Sequence, residues 1–300
     1  MTRYFLSDYL KDTFGTKVYK LSLQSGCTCP NRDGTLGLGG CSFCSEGGSG
    51  DFASPLLPVR DQIKAAKKLV DAKFPRRISE SDRKYIAYFQ SFTNTYGDTE
   101  KLCALYEEAI SFPEIAALSV ATRPDCLSDE MLFRLSEMNR TKPVWIELGL
   151  QTSDDKTAES INRCYKTEVF GECWNRLKSA GLEGIVHIIL GLPGESEPEM
   201  LETAGYLARL DPPPDGIKIS NLQILKGTKL GEEYLKKPFK LLSLDEYAEL
   251  ICKCLDILPE TTVIHRITGD PPKKILIAPA WCADKKTVIN TLNKKLNRFS

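Results

Sequence analysis

Residues 27–44 read CTCPNRDGTLGLGGCSFC, a stretch rich in both cysteine and glycine. It contains four of the chain's 11 cysteines, and eight of its 21 glycines lie between Gly26 and Gly50. Glycine weakens helices and strands alike. We therefore expect an irregular loop whose backbone wraps closely around a bound group.

The spacing of the cysteines leaves two kinds of site open. Cys41 and Cys44 form a C-x2-C pair, which zinc and iron–sulfur sites share because one turn aims both sulfurs at a common point. A third thiolate comes from Cys29 or Cys27. Three thiolates leave one iron of a cubane cluster open to chemistry, whereas four close a structural zinc site. Phe43 is placed either to face a planar ligand such as adenine or to fill the core beneath the loop.

Composition narrows the class of protein. The chain has 300 residues, 42% of them apolar, which suffices for one large or two ordinary domains. Forty basic residues balance forty acidic ones, so binding to nucleic acid or an anionic membrane needs a local patch. The odd number of cysteines and the polar first residues predict reduced thiols and a cytoplasmic location. No apolar run approaches the ~20 residues that span a membrane, so no membrane partner is expected. With two histidines, His-based metal sites and His-dependent triads are disfavoured.

Hydrophobic periodicity predicts six strands that alternate with helices. Parallel neighbours need crossover helices, so this order predicts a parallel sheet in an open or partial (β/α)6 barrel. We expect an N-terminal flap at 1–17, a core barrel at 18–230 with a cysteine loop at 25–50, and a C-terminal α/β extension at 231–300. The predicted strands span residues 18–24, 85–90, 115–121, 144–149, 185–190 and 216–222.

Polar residues follow the predicted strands, at the end where ligands bind in parallel α/β folds. Arg123 is placed to pair with a ligand carboxylate or with the neighbouring Asp125. Glu147 is either a functional residue or a structural carboxylate that is satisfied by a lysine or by backbone amides. His187 alternates within its strand and is expected to be a satisfied core histidine.

Motifs along nearly the whole chain resemble the radical S-adenosylmethionine (radical SAM) superfamily. More narrowly they resemble its YhcC/YtqA-type subfamily, relatives of the elongator catalytic subunit and of oxygen-independent coproporphyrinogen oxidase. Eleven residues separate Cys29 from Cys41, whereas the superfamily's usual cysteine spacing is C-x3-C-x2-C. The longer spacing is similar to that of the YhcC/YtqA-type subfamily. The motifs are CPNRDGT and GGCSFC within 29–44, YFQSFTNTY at 88–96, TRPD at 122–125, ELGLQ at 147–151, GLPGE at 191–195, KGT at 226–228, HRITGD at 265–270 and LIAPAW at 276–281.

The resemblance implies a TIM-like radical SAM barrel in which Cys29, Cys41 and Cys44 hold a [4Fe–4S] cluster. The fourth iron binds S-adenosylmethionine (SAM), and Cys27 is a spare thiol. The loop 91–95 lies where the superfamily carries a Gly-Gly-Glu motif but lacks that motif, so its carbonyls or side chains are expected to replace it. The residues expected to contact SAM are Phe43, Thr93, Asn94, Arg123, Glu147 and Gln151.

The implied activity is reductive cleavage of SAM to a 5′-deoxyadenosyl radical, with electrons from a flavodoxin- or ferredoxin-type reductant. Residues 270–300 carry seven basic and two acidic residues, a net charge of +5, which indicates either an RNA-binding patch or a solvated helix face. Since the elongator relative acts on wobble uridine and YtqA-type relatives are linked to 5-aminomethyl-type wobble uridines, the resemblance favours tRNA modification. A small-molecule substrate is the alternative.

Two further hypotheses assign the chain to other classes of protein. A zinc-stabilised RNA-binding or adaptor protein uses all four cysteines of the loop as ligands. A non-redox barrel enzyme needs an acid/base pair such as Glu147 with Arg123 or Lys218. Neither hypothesis accounts for motifs spread along all six strand and helix units.

Overall fold

The structure is a computed structural model that describes residues 3–48 and 53–296. Strands and helices alternate along most of this length, as the periodicity predicts. In chain order the elements are α1 (Leu6–Phe14), β1 (Val18–Leu23), α2 (Val59–Val70), β2 (Lys84–Phe89), α3 (Thr99–Ser111), β3 (Ile115–Thr122), α4 (Asp129–Asn139), β4 (Val144–Gln151), α5 (Asp155–Ser160), α6 (Thr167–Ser179), β5 (Glu183–Leu190), α7 (Glu197–Ala208), β6 (Gly216–Asn221), β7 (Ile224–Leu225), α8 (Lys229–Lys236), α9 (Leu244–Ile257), β8 (Val263–Arg266), β9 (Leu276–Ala278) and α10 (Lys285–Lys295).

Seven strands form one curled sheet in the order β1-β2-β3-β4-β5-β6-β8, and every neighbouring pair is parallel. The predicted partial barrel is confirmed, with one more strand than expected. β8 has only four residues, too few for a period of two to stand out in the sequence. The backbone of Tyr4 covers its outer edge by accepting a 2.8 Å hydrogen bond from Ile264. β7 and β9 form a separate antiparallel pair.

The inward-facing residues form three layers because side chains alternate along each strand and neighbouring strands are offset by either no residue or two residues. The lowest layer is apolar and packs against α1. The layer above it is polar, and the uppermost layer lines a cavity. The lowest layer contains Val18, Ile86, Ala117, Trp145 and Ile185, the middle layer Lys20, Tyr88, Ser119, Glu147, His187 and Lys218, and the upper layer Ser22, Gln90, Ala121, Gly149, Ile189 and Ser220.

The opposite face of the sheet is apolar and packs against the surrounding helices in the main core. Local sequence features determine where these helices begin and end. The Ser128 hydroxyl accepts a 3.1 Å hydrogen bond from the Met131 N–H and caps α4. α2 ends at Val70, and a short 3-10 turn follows it. None of the described helices is both long and apolar enough to cross a membrane.

Candidate active site

The cysteine loop leaves β1 at the upper, carboxyl end of the sheet, and Asn31 holds its shape. This side chain is fully buried, donates a 2.6 Å hydrogen bond to the carbonyl of Asn162, and lies 3.7 Å from the Cys41 sulfur. The Asn31 carbonyl accepts a 2.7 Å bond from the N–H of Gly40. A Cβ atom at Gly37 would lie 2.4 Å from the Asn31 side-chain oxygen, so that position requires glycine. Asn31 lies within one of the quoted motifs, but the sequence alone gives it no role.

Cys29, Cys41 and Cys44 line one cavity of about 1070 Å³ at the upper ends of the strands. The Cys44 N–H donates to the Cys41 carbonyl at 3.0 Å, which closes the turn between them. Burial and then the charge of Cys44 raise the pKa of Cys41 to about 12, and Cys29 adds to the effect. The three thiols therefore share one cavity wall. Cys27 is not among the residues lining this cavity; it packs against the main core, where burial raises the pKa of its thiol.

The chemistry of these donors fits an iron–sulfur cluster. Within residues 3–48 and 53–296, no three His, Cys, Asp or Glu side chains converge to coordinate a single ion. A cubane cluster does not require such convergence, because each thiolate binds a different iron. Soft thiolate ligands suit iron–sulfur clusters, and coordination to a metal removes the proton that burial otherwise favours. Three thiols around one cavity can therefore hold a cluster with one iron facing the open space.

Five of the six residues expected to contact SAM line this cavity, and Asn94 does not. The Asn94 amide donates to the backbone carbonyls of Phe89 at 3.0 Å and Ala121 at 2.8 Å. Its side-chain oxygen accepts a 2.6 Å bond from Ser25. These bonds use the polar atoms of Asn94 to tie the end of β2 to β3 and to the start of the cysteine loop.

Thr93, Gln151 and Phe43 present different groups to the cavity. The Thr93 hydroxyl has no hydrogen-bond partner among the described residues. Gln151 follows a register shift at the end of β4 and has a φ of 68°, a conformation that non-glycine residues adopt mainly where surrounding contacts hold them, often at ligand sites. Phe43 packs on an apolar cluster with Ile161 and Leu222 while also facing the cavity. Both roles considered for Phe43 are therefore geometrically compatible.

Of the two pairings considered for Arg123, the structure shows the one with the neighbouring Asp125. Its Nε and Nη2 atoms donate to the Asp125 carboxylate at 2.9 and 2.7 Å, and Nη1 donates to the carbonyl of Arg163 at 3.0 Å. Its guanidinium lies 4.8 Å from the centre of the Tyr165 ring. Burial alone would lower the pKa of Arg123, but Asp125 outweighs it and raises that pKa. Arg123 is thus a fixed cation whose charge opposes the rise in the pKa of Cys41.

Glu147 lies at the centre of the polar layer, and its side chain is fully buried. One carboxylate oxygen accepts bonds of 2.6 Å from both Lys20 and Ser119. The other accepts a 2.7 Å bond from His187 and a bond from Lys218. Burial alone would raise the pKa of Glu147, but the two lysines and His187 hold it well below its usual range. The carboxylate is therefore a buried counter-ion whose acceptor sites are filled by protein groups.

His187 is hydrogen-bonded, as expected, but it also lines the cavity and its side chain is 25% exposed. Burial and the charge of Lys218 lower the pKa of His187 to about 4, so the neutral ring donates to Glu147. Tyr88, Ser220 and Arg266 also line the cavity and were not singled out from the sequence. The sequence signal that could have identified them is a polar residue at a strand position that faces the interior of the barrel.

The mouth of the cavity carries positive charge. Lys73, Lys273 and Lys274 line it, are exposed, and form no ion pair with a residue that the structure describes. Two of them belong to the basic segment 270–300. In that segment Lys285 instead pairs with Asp270, and Lys295 pairs with Glu249 on α9. The segment is therefore divided between the cavity mouth and α10.

Comparison with known proteins agrees with this architecture. A model of the radical SAM superfamily matches residues 27–207, and a model of the radical SAM C-terminal domain matches residues 214–298. YtqA of Bacillus subtilis (strain 168) is 42% identical over 297 residues, which cover 98% of this chain and 90% of YtqA. YhcC of Escherichia coli (strain K12) is 34% identical over 285 residues, which cover 95% of this chain and 89% of YhcC.

More distant relatives share part of the chain or the fold. A tRNA uridine(34) acetyltransferase of Methanocaldococcus infernus is 28% identical over 177 residues, which cover 57% of this chain and 33% of that protein. The solved structure of an N-terminally truncated Elp3 from the same archaeon superimposes with a TM-score of 0.67 at 19% identity, over 93% of this chain and 63% of that one. The cysteine loop, the parallel half-barrel and these matches agree: the chain belongs to the radical SAM superfamily of enzymes and, within it, to the YhcC/YtqA-type subfamily.

Proposed function

We propose that this enzyme binds a [4Fe–4S] cluster through Cys29, Cys41 and Cys44, binds SAM beside it, and modifies a 5-aminomethyl-type wobble uridine in tRNA. The observation that carries the proposal is that the three thiols and a mouth of unpaired lysines belong to the same cavity. When bound, such a cluster supplies the electron for reductive cleavage of SAM to a 5′-deoxyadenosyl radical.

The chain's own residues prepare the cavity for that chemistry. Arg123 places a fixed positive charge beside the thiolates, which favours their deprotonated form. Thr93 and Gln151 offer a hydroxyl and an amide for the polar groups of SAM. Below them, the apolar layer and α1 close the barrel and exclude water, which protects reactive intermediates. All eleven cysteines lie in the described ranges and are free thiols, which supports a reducing, cytoplasmic location with a flavodoxin- or ferredoxin-type reductant.

Charge and size support an RNA substrate. Among the described residues, the cavity is lined by eight lysine and arginine side chains but only two acidic ones, Glu147 and Asp270. The lysines at its mouth are placed to contact phosphates. Its volume slightly exceeds the ~300–1,000 Å³ of ordinary small-molecule sites, which leaves room for SAM and a nucleoside together. The partial match to a tRNA uridine(34) acetyltransferase points to the same substrate class.

The cluster is tested by anaerobic reconstitution with iron and sulfide, followed by electron paramagnetic resonance of the reduced protein with and without SAM. We expect a cubane signal that SAM alters, formation of 5′-deoxyadenosine, and loss of both in Cys29→Ala. Cys27→Ala is the matched control and should retain them, because Cys27 lies in the core rather than on the cavity wall. A colourless protein with tightly bound zinc, dependent on both cysteines, would contradict the proposal.

The substrate is tested by comparing modified nucleosides in tRNA from cells with and without this protein. We expect one wobble uridine derivative to accumulate in the deletion strain and to disappear when the reconstituted enzyme, SAM and reductant are added to that tRNA. An unchanged nucleoside profile, with SAM cleavage still intact, would favour the small-molecule alternative.

A further inference from the structure

The polar layer of the barrel carries more positive than negative charge. Arg266 ends β8 beside Lys218 of β6 and lines the cavity. Lys20 contributes a third cation from β1, whereas Glu147 is the only carboxylate in the layer. The oxygens of Glu147 accept bonds from the two lysines but none from Arg266. Arg266 is therefore the cation that this carboxylate does not neutralise.

The hydrogen bonds of Arg266 are incomplete. Its Nη2 atom donates to the Ser220 hydroxyl at 3.2 Å, and its Nε–H is buried without any partner. It pairs with no carboxylate in the part of the chain that the structure describes. An unsatisfied buried donor is costly, so native structures rarely keep one without a reason. A guanidinium presents parallel N–H groups that match both oxygens of a carboxylate or phosphate.

The surroundings of Arg266 differ from those of the cysteine loop. Burial raises the pKa of Tyr88, and the charge of Arg266 opposes that rise. Burial and Lys218 lower the pKa of His187, and Arg266 adds to this effect. Arg123, in contrast, pairs with Asp125 and lies over the ring of Tyr165. The two arginines thus serve different parts of the cavity, one at the loop and one in the polar layer.

We propose that Arg266, supported by Lys20 and Ser220, forms an anion subsite inside the barrel that binds a carboxylate or phosphate group carried by the substrate. The subsite rests on the proposed function, since it belongs to the same cavity, and it names a chemical group that the substrate must carry. An anion bound there neutralises the excess charge of the polar layer and supplies the acceptor that the Nε–H lacks. It also fixes the substrate between the polar layer and the cysteine loop.

The subsite is tested first without catalysis, with inorganic phosphate and acetate as probes. We expect each probe that binds to raise the thermal unfolding midpoint of the wild-type protein relative to chloride at the same ionic strength. The larger of the two shifts identifies the preferred anion. The shift should be lost in Arg266→Gln and partly kept in Arg266→Lys. Arg134→Gln is the matched control, because Arg134 pairs with Glu100 and Glu107 on the surface and should keep the full shift.

An anion-dependent shift of the same size in Arg266→Gln and in the wild type would overturn the subsite. So would the absence of any shift in the wild type with both probes. Neither result bears on whether the cysteine loop holds a cluster, because the measurement needs neither cluster nor SAM.

The second test separates the substrate from SAM as the source of the anion. It uses the reconstituted enzyme and tRNA from cells that lack this protein. We expect Arg266→Gln to raise the KM for that tRNA about 10- to 100-fold, the range for loss of a hydrogen bond to a charged group. The dissociation constant for SAM, measured by equilibrium dialysis, should stay within about twofold. A comparable weakening of SAM binding would assign the anion to SAM and overturn the proposal. Absence of turnover by the wild type would count against tRNA as substrate and leave the result with phosphate and acetate to decide the subsite.

Discussion

Glu147 carries a negative charge where water does not reach, and two ammonium groups share it. Lys20 and Lys218 both donate to its oxygens, while the side-chain hydroxyl of Ser119 and the ring of His187 complete its shell. Burial lowers the pKa of Lys218 well below its usual value, and the neighbouring cations act in the same direction. Glu147 opposes this effect, so the carboxylate and the lysines depend on one another.

At the scale of the residue, we predict that Glu147→Gln lowers the free energy of unfolding by about 3–5 kcal/mol. This is the range for breaking a buried ion pair and leaving its cations without a counter-charge. Urea unfolding followed by circular dichroism measures the change. Glu202→Gln is the control, because Glu202 pairs with Arg209 at the surface and its loss should cost less than about 1 kcal/mol. Equal losses in the two variants would show that the lysines do not rely on Glu147.

At the scale of the element, α1 does more than precede the barrel, because it closes the lower end. Leu10 is buried against the apolar layer with Trp145, and Leu6 and Phe14 pack at its edge. The Tyr9 hydroxyl lies 3.3 Å from both carboxylate oxygens of Glu183 on β5. The helix therefore shields the buried charges of the polar layer from water below.

We predict that Leu10→Ala lowers the free energy of unfolding by about 2–5 kcal/mol, the usual cost of a cavity in a packed core. Because Trp145 lies in the same cluster, its fluorescence should move toward that of a water-exposed indole. Leu235→Ala on α8 is the control, since this leucine is 65% exposed and its removal should change stability by less than about 0.5 kcal/mol. If Leu10→Ala behaved like the control, α1 would not be an integral part of the barrel.

At the scale of the whole molecule, a chain with no net charge concentrates positive charge at one opening. Lys273 and Lys274 lie at the cavity mouth, whereas Lys286 and Lys294 lie on α10 in the same basic segment and outside the cavity lining. All four are exposed and form no ion pair with a described residue. These two pairs have equal charge, so comparing them tests position alone.

We predict that Lys273→Ala/Lys274→Ala weakens tRNA binding and lowers the slope of log Kd against log salt by about 1.4 to 1.8, since each phosphate contact contributes about 0.7 to 0.9. Fluorescence anisotropy with labelled tRNA at several potassium chloride concentrations measures both quantities. Lys286→Ala/Lys294→Ala should change them much less. Equal effects from the two pairs would indicate binding by overall charge rather than by the cavity mouth.

The strands could be predicted from the sequence because the alternation of apolar and polar residues, and the turn residues between strands, act over short distances. The predicted strand at 18–24 corresponds to β1 (Val18–Leu23), and the other five also begin and end within two residues of their observed bounds. The cysteine loop and its motifs indicated the superfamily for a similar reason, since the spacing of ligands and glycines is a local property. β8 was missed because four residues carry little periodicity.

Local sequence shows which strand residues share a face, but not which residues of distant strands meet. Glu147 meets Lys20 and Lys218, which are 127 and 71 residues away, only because the strand registers bring them to one level of the barrel. The same registers place Arg266 beside Lys218, although the sequence shows it only as part of a terminal motif. Local chemistry therefore fixed the strands, the loop and the superfamily. Long-range packing determined the polar layer, the role of Asn94 and the incomplete bonding of Arg266, because strand register follows from how the whole sheet packs.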